Sequence, residues 1–397
     1  VVRKFTGSFT QQEPIPEAAI DAAVAVLRSG RLHRYNLVGS APGEVEQLEA
    51  AYRDWQGRRY CLAVTSGGQA MQIALRACGL RPGDPVLTNG FTLAPVPGAI
   101  SAVGGTAVLV EIDTALRLDL EDLEVKIAGS GARILLLSHM RGHLCDMDRL
   151  MRICDAADVT VIEDCAHTMG ARWNGTRSGN FGKVACFSTQ TYKHMNSGEG
   201  GFLTTDDAEI AARATILSGS YMMYARHGAG PATEAFAEAR YQMPNCSARM
   251  DALRAAILRP QLTLLDTNVV RWNARYRTVE AGLKQHPDIT TIPLPDQELH
   301  VGSSIQFLMP DFTACQCRAL LDAALARGVE LKWFGAAQPV GFTSAHPSWH
   351  YVAAQDLPRT DRILATLFDM RLPLSFSEAD CALIADLICE VASEVTQ

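Results

Sequence analysis

The chain has 397 residues, 48% of them hydrophobic, and a formal net charge of -7. It can bury a large core in more than one domain, and the charge excludes the overall basic field of a nucleic-acid binder. Its apolar stretches are too short and too interrupted by Gly and Pro to span a bilayer, so no membrane association is expected.

No charged-then-apolar leader opens the sequence. Residues 1–15 are polar and Pro-interrupted and read as an arm rather than a packed element. Pro16 to Arg28 reads as a helix with Ile20, Val24 and Leu27 on its apolar face. The loop SGRLHRYNLVGSAPG follows, with two arginines, a histidine and a tyrosine; it is either a solvated connection or a segment that faces substrate. A helix over Glu44–Trp55 and a strand over Tyr60–Val64 lead into TSGGQAMQIALRACGL. There Gly67 and Gly68 stand between the strand and a helix whose apolar face is Met71, Ala74, Leu75 and Cys78. Backbone N–H groups at such a helix start can meet a phosphate, although a Gly pair by itself also makes an ordinary tight turn.

Pro85–Thr88 reads as a strand with Phe91 at its C-terminal end. Two more strands follow, Thr106–Glu111 and Arg133–Ser138, the second entering SHMRGHLCDMD. In that run His139 reads as structural and His143 as a residue able to face substrate. The apolar run at Val159, Val161 and Ile162 ends in Glu163 and Asp164. Another, Val184–Phe187, ends in Ser188, with Lys193 five residues on in a small polar loop.

Short apolar runs that end in polar residues read as strands of a parallel sheet, whose C-terminal ends carry the ligands of open α/β folds. Asp164, Ser188 and Lys193 should therefore reach one crevice. A lysine, a carboxylate and a hydroxyl there suit pyridoxal phosphate (PLP): a Schiff base with the aldehyde, a partner for the protonated ring nitrogen, and a phosphate ligand. Taken singly each has a plainer reading, since strand-end Asp often caps a helix and loop Lys is usually solvated.

Gly201–Thr204 reads as a strand, and Asp206 as the cap of a helix running to Leu217. Ser218–Gln242 reads as irregular, and a helical region extends to Leu283. Ser303–Met309 is a strand, Thr313–Arg327 a helix and Asp380–Val391 the last helix. The aromatic segment Lys332–Tyr351 belongs either to a core or to a pocket wall. Eleven cysteines are scattered through the chain. They form no disulfide framework, and Cys315 and Cys317 have no matching His pair, so no metal site is expected. A reduced, cytoplasmic setting fits this usage.

IEDCAHTMGA followed by FSTQTYKHMNSGEGGFLTTDD resembles the paired signature of the DegT/StrS family of PLP-dependent sugar aminotransferases. The resemblance implies an α/β, aspartate-aminotransferase-like fold type I. Its large domain would have a central, mostly parallel sheet flanked by helices, followed by a smaller α+β C-terminal domain. The expected division is an arm at 1–15, a PLP-binding domain at 16–270 and a small domain at 271–397.

For the site, the resemblance implies Lys193 as the aldimine lysine, Asp164 as the pyridinium partner, His167 near the ring hydroxyl and Ser188 as a phosphate ligand. Gly67 and Gly68 stand where the family has Gly-Thr beside the phosphate, and Phe91 matches the aromatic that stacks on the ring. MPNCSARMDALRAAILRPQL resembles the segment by which one subunit reaches its neighbour's cofactor, with Asn245 as the phosphate ligand, so a homodimer with shared active sites is implied. The related sugar dehydratases carry His where Lys193 stands. The expected activity is transfer of an amino group from glutamate or glutamine to a keto sugar, often nucleotide-linked, or to a keto-cyclitol in secondary metabolism. The alternatives are another PLP reaction on an amino acid, a lyase or decarboxylase, and a non-catalytic PLP-binding regulator. A nicotinamide enzyme is disfavoured, since no GxGxxG joins the early strand to its helix.

Overall fold

The computed structural model describes residues 3–396; Val1 and Val2 of the expected arm and Gln397 of the expected small domain lie outside them. Seven strands form the large sheet: β1 (Tyr60–Val64), β2 (Pro85–Asn89), β3 (Thr106–Val110), β4 (Ile134–Ser138), β5 (Thr160–Asp164), β6 (Val184–Ser188) and β7 (Gly201–Thr205). Their spatial order is β1-β7-β6-β5-β4-β2-β3. The pairs from β6 to β3 are parallel, while β7 runs antiparallel to both β1 and β6.

Both faces of this sheet are covered, which is why its strands are nearly continuous apolar runs. In β4, Leu135 and Leu137 face one core while Ile134 and Leu136 face the other, the period of two expected of a strand. The helix Gly67–Ala77 packs on the second face through Met71, Ala74 and Leu75. Register then sets the chemistry. Ser138 of β4 lies beside Asp164 of β5, which lies beside Cys186 of β6, two residues before Ser188.

A second sheet is built from β8 (Thr290–Thr291), β9 (Ser304–Leu308), β10 (Lys332–Trp333) and β11 (Leu367–Arg371), all antiparallel, in the order β8-β9-β11-β10. With the helices Ala314–Ala326 and Glu378–Thr396 it encloses its own core. The helix Leu265–Leu283 serves both units. Leu265, Val269 and Trp272 enter the first core, and Tyr276, Val279 and Leu283 the second. We place the division between the units within this helix.

Several local expectations are corrected. Phe5 and Phe9 of the supposed arm are buried in the second core, edge-on to Phe376 at 4.9 Å each, and the Phe5 amide donates to the Arg327 carbonyl. Two aromatic side chains outweigh the polar composition around them. Phe9→Ala is expected to destabilise the fold by about 3–5 kcal/mol, the range for emptying a buried aromatic site, read as a lower midpoint in urea denaturation. The cap of helix Ala208–Ser218 is Asp207, which accepts from the amides of Glu209 and Ile210, while Asp206 pairs with Arg58. The stretch expected to be irregular contains the helix Phe236–Gln242. Arg34, from the loop before the second helix, is neither solvated nor turned to substrate. It forms a buried two-bond pair with Glu49 at 3.0 and 2.9 Å and lies 3.1 Å from His227.

Candidate active site

A cavity of ≈ 380 Å³ opens at the C-terminal ends of β4, β5 and β6. Lys193, Asp164, His167, Ser188, Gly67 and Gly68 all line it, so the residues read from three separate stretches do meet. The start of helix Gly67–Ala77 presses directly on the sheet. A Cβ on Gly67 would sit 2.9 Å from that of Ser188, and one on Gly201 only 2.6 Å from the Phe187 carbonyl. Glycine is required there for close approach. Ser66 caps this helix by accepting from the Gln69 amide, and the amides of Gly67 and Gly68 have no intrahelical acceptor, which suits an anion at this end.

Asp164 is held at the middle of the crevice. Its Oδ2 accepts from Ser138 Oγ at 3.2 Å, Ser138 Oγ in turn accepts from Thr92 Oγ1 at 2.7 Å, and its Oδ1 accepts from the Ala166 amide at 3.1 Å. Burial pushes this carboxyl above its ordinary range, against the Ala166 amide and the Lys193 charge. Among the described residues no cationic group lies within 4.0 Å of it to form an ion pair. A buried carboxylate without a cationic partner fits the protonated ring nitrogen of PLP, which supplies the missing charge.

Lys193 sits in the loop after β6, its amide donating to the Gln190 carbonyl. Burial lowers its amine to about 7, with Arg141, Arg371 and Lys332 adding to the effect and Asp164 opposing it. An amine tuned this way is half neutral near pH 7 and can act as nucleophile or base. His167 accepts the Arg141 amide on Nδ1 at 2.9 Å, which fixes the tautomer with its hydrogen on Nε2. Burial, then the charges of Lys193 and Arg141, hold this imidazole well below its usual range and hence neutral.

Two expected residues are not where the sequence placed them. Phe91 is 1% exposed and packs edge-on against Phe334, centroids 4.9 Å apart, in a separate apolar cluster; Thr92 and Leu93 line the cavity instead. The hydrogen bond from Thr92 to Ser138 turns the chain so that Phe91 faces the other way. His143 is buried against Gln306, its Nε2 2.8 Å from Oε1, and stacks on His300, so it does not reach the cavity. Asn245 is exposed and absent from the lining of its own chain's cavity.

His139 bonds Glu163 at 3.0 Å, and Glu163 also accepts the amides of Gly179, Phe181 and Gly182. With Cys165 these two place three ligand atoms within 4.8 Å. Because the glutamate oxygens are already filled by hydrogen bonds, the trio is structural.

Sequence reasoning missed a cationic wall. Arg141, in the left-handed conformation (φ 56°, ψ 16°), reaches Asp369 of β11 at 2.7 Å, which Lys332 also approaches at 3.3 Å, and Arg371 lines the cavity two residues further on. The only local signal is a non-glycine residue held in a disfavoured backbone region, visible only once the chain is folded. The aromatic segment 332–351 divides: Phe342 lines the cavity, whereas Trp333, Phe334 and Trp349 are core.

The profile of the DegT/DnrJ/EryC1/StrS aminotransferase family matches residues 15–388. The chain is 34% identical over 296 residues to a dTDP-3-amino-3,4,6-trideoxy-alpha-D-glucose transaminase of Streptomyces venezuelae, covering 72% of this chain and 71% of that protein. It is 30% identical over 282 residues to an L-glutamine:2-deoxy-scyllo-inosose aminotransferase of Micromonospora echinospora, covering 69% and 66%. The fold matches a putative sugar aminotransferase of Streptococcus pneumoniae solved in its PLP form, with a TM-score of 0.80 over 99% of both chains at 17% identity. The chain therefore belongs to the DegT/DnrJ/EryC1/StrS family and is a PLP-dependent aminotransferase of fold type I.

Proposed function

We propose that this aminotransferase takes its amino group from L-glutamine or L-glutamate and gives it to a keto sugar, free or nucleotide-linked, or to a keto-cyclitol. The observation that carries the reading is the meeting of Lys193, Asp164 and His167 in one cavity beside a glycine-lined helix start. The names of the two relatives above support the substrate class, and one of them supports glutamine as donor.

In this reading Gly67, Gly68 and Ser188 would hold the phosphate of PLP, Asp164 its ring nitrogen, His167 its ring oxygen and Lys193 its aldehyde. When bound, the cofactor supplies an electron sink that makes the donor Cα–H acidic. Lys193, neutral for a large fraction of its population near pH 7, takes that proton as general base and returns it in the opposite half of the cycle. Asp164 keeps its negative charge where the ring nitrogen is protonated, and the Ser138–Thr92 chain orients it. His167 offers its Nε2 hydrogen as a donor. Asn245, exposed on its own chain, would serve the phosphate of a second copy, making the active unit a homodimer. No helix among the described residues is long and apolar enough to cross a membrane, and eleven free cysteines support a reduced, cytoplasmic setting.

The lowered amine gives a pH prediction. Capture of PLP by the cofactor-free protein depends on neutral Lys193, so its rate should rise with pH through a midpoint of about 7 and be several-fold lower at pH 6. A midpoint near the ordinary lysine value of about 10.4 would contradict the assignment. The function is tested by the visible spectrum of the cofactor-loaded protein as L-glutamine, then L-glutamate, is added, followed by a keto sugar or keto-cyclitol and analysis for the aminated product. Loss of the cofactor band with one donor and recovery with an acceptor is expected. Release of carbon dioxide without amino transfer would favour the lyase reading instead.

A further inference from the structure

The turn after β4 is strained and is held from behind. Arg141 has φ 56° and Gly142 has φ 97°, two successive residues in the left-handed region, which is unfavourable for the first because it is not glycine. The Arg141 amide meets His167 Nδ1 at 2.9 Å, and φ is the rotation that aims this amide. Relaxing it to the favoured negative region would turn the amide away from His167.

Asp369 holds the Arg141 side chain, and His300 holds the backbone. His300 Nδ1 lies 3.2 Å from the Gly142 carbonyl and 3.0 Å from Glu298 Oε1. Burial pushes the Glu298 carboxyl up, but the hydrogen bond from His300 and nearby charges, Arg117 among them, hold it below its ordinary range. A carbonyl and an ionised carboxylate only accept, so Nδ1 carries a hydrogen shared between them. The fit is close: a Cβ on Gly142 would sit 2.9 Å from His300 Cε1 and 3.3 Å from the His167 carbonyl. Glu298 is anchored by Arg117 at 3.1 Å, and Asn273 donates to the His300 carbonyl at 2.7 Å.

The His300 and Glu298 side chains are 4% and 0% exposed. Among the described residues His300 Nε2, His143 Nδ1 and Arg117 Nε have no hydrogen-bond partner. Unmade bonds of this kind cost stability, which apolar packing in the same space would not. What a buried polar network supplies instead is one fixed geometry.

We propose that His300 is a positioning residue for amino transfer: by holding the Gly142 carbonyl it keeps the Arg141 amide on His167 Nδ1, so that the His167 hydrogen stays on Nε2 and faces the cofactor ring oxygen. This rests on the reading above in which His167 serves that oxygen. Glu298 orients His300, and neither touches the reacting atoms.

The readout is the tautomer of His167, because burial keeps this imidazole neutral and its hydrogen can sit on either nitrogen. Nitrogen NMR of the histidine-labelled full chain, with and without cofactor, should show the hydrogen on Nε2 of His167 and on Nδ1 of His300. The two signals are assigned by their loss in His167→Gln and His300→Asn. His300→Phe keeps a ring between His143 and Tyr276, whose centroids both lie 5.3 Å from that of His300, but has no donor. In this variant His167 should become a mixture of both tautomers once the cofactor is removed, and His300→Asn, whose side-chain amide can donate, should restore one. With cofactor bound, the kcat of His300→Phe should fall about tenfold, the scale of one lost hydrogen bond, with KM for L-glutamine changed by less than about twofold. His300→Asn should recover most of that rate.

A structural role alone would lower the melting temperature of His300→Phe and leave the His167 tautomer unchanged. That result, identical behaviour of His300→Phe and His300→Asn, or a His300 hydrogen found only on Nε2 in the unaltered protein overturns the proposal. If His300→Phe does not fold, Glu298→Gln replaces it. That variant keeps the shape and removes the charge that orients His300, so His167 should shift in the same direction to a smaller extent; an unchanged His167 there overturns the proposal as well. If no amine donor alters the cofactor band, the amino-transfer reading fails, yet the tautomer still judges the positioning.

Discussion

Lys193→Ala is expected to abolish amino transfer in a protein that still folds. Loss of a general base alone costs roughly 10²–10⁴ in rate, and here the same amine is also the group that would hold the cofactor aldehyde, so kcat should fall below detection. The effect on stability has the opposite sign. The folded-state amine titrates at about 7 against roughly 10.4 for an unstrained lysine, so between these values the unfolded chain binds more protons than the folded one. Stability contributed by this group therefore rises with pH over that interval, and at pH 7 and below the buried amine opposes folding. Removing it should leave the melting temperature of the cofactor-free protein unchanged or higher at pH 7, with the gain shrinking as pH approaches 10. Activity within tenfold of the original would sink the assignment; an inactive variant with a lower melting temperature would show only that the loop had been damaged.

The chemistry read from the sequence was legible where it sat at the ends of strands. Asp164, Ser188 and Lys193 follow apolar runs whose burial on both faces leaves no alternative to a sheet interior, and parallel register then brings their ends together. The limits of β1 were legible for the same reason, an abrupt change from apolar residues to Thr-Ser-Gly-Gly, whereas the glycine pair read as lying between strand and helix forms the first turn of the helix.

Residues in the turns beyond the strands were not legible. Phe91 lies one turn residue from Thr92, and which of the two faces the crevice is decided by a hydroxyl bond to Ser138, forty-six positions along the chain. His143 is likewise claimed by Gln306, from the other unit. The cationic wall had no signature at all, because Arg141, Lys332, Asp369 and Arg371 come from three distant segments and acquire meaning only when β11 packs beside the turn after β4. Phe5 and Phe9 show the converse, two apolar residues in polar company whose partner Phe376 lies near the opposite end of the chain.

Asp164→Asn is expected to retain cofactor while losing most of the rate, and the two effects separate because they depend on different properties of the side chain. Asparagine has nearly the same shape, so its carbonyl oxygen can still accept from Ser138 or the Ala166 amide and the crevice keeps its walls. It has no negative charge, so nothing holds a proton on the ring nitrogen. Removing one preorganised electrostatic group from a reacting centre typically costs about 10²–10³ in kcat, and a fall of that size is expected once rates are normalised to bound PLP. Burial opposes charge on Asp164 in the cofactor-free protein, so the neutral asparagine should not destabilise that form; its melting temperature should equal or exceed that of the unaltered protein. Ser138→Ala provides the scale. It removes one hydrogen bond to the carboxylate and leaves the charge, so its effect should be about tenfold or less. If Asp164→Asn were no worse than Ser138→Ala, the carboxylate would be acting through its shape, and the ring proton would have to be held by some other group.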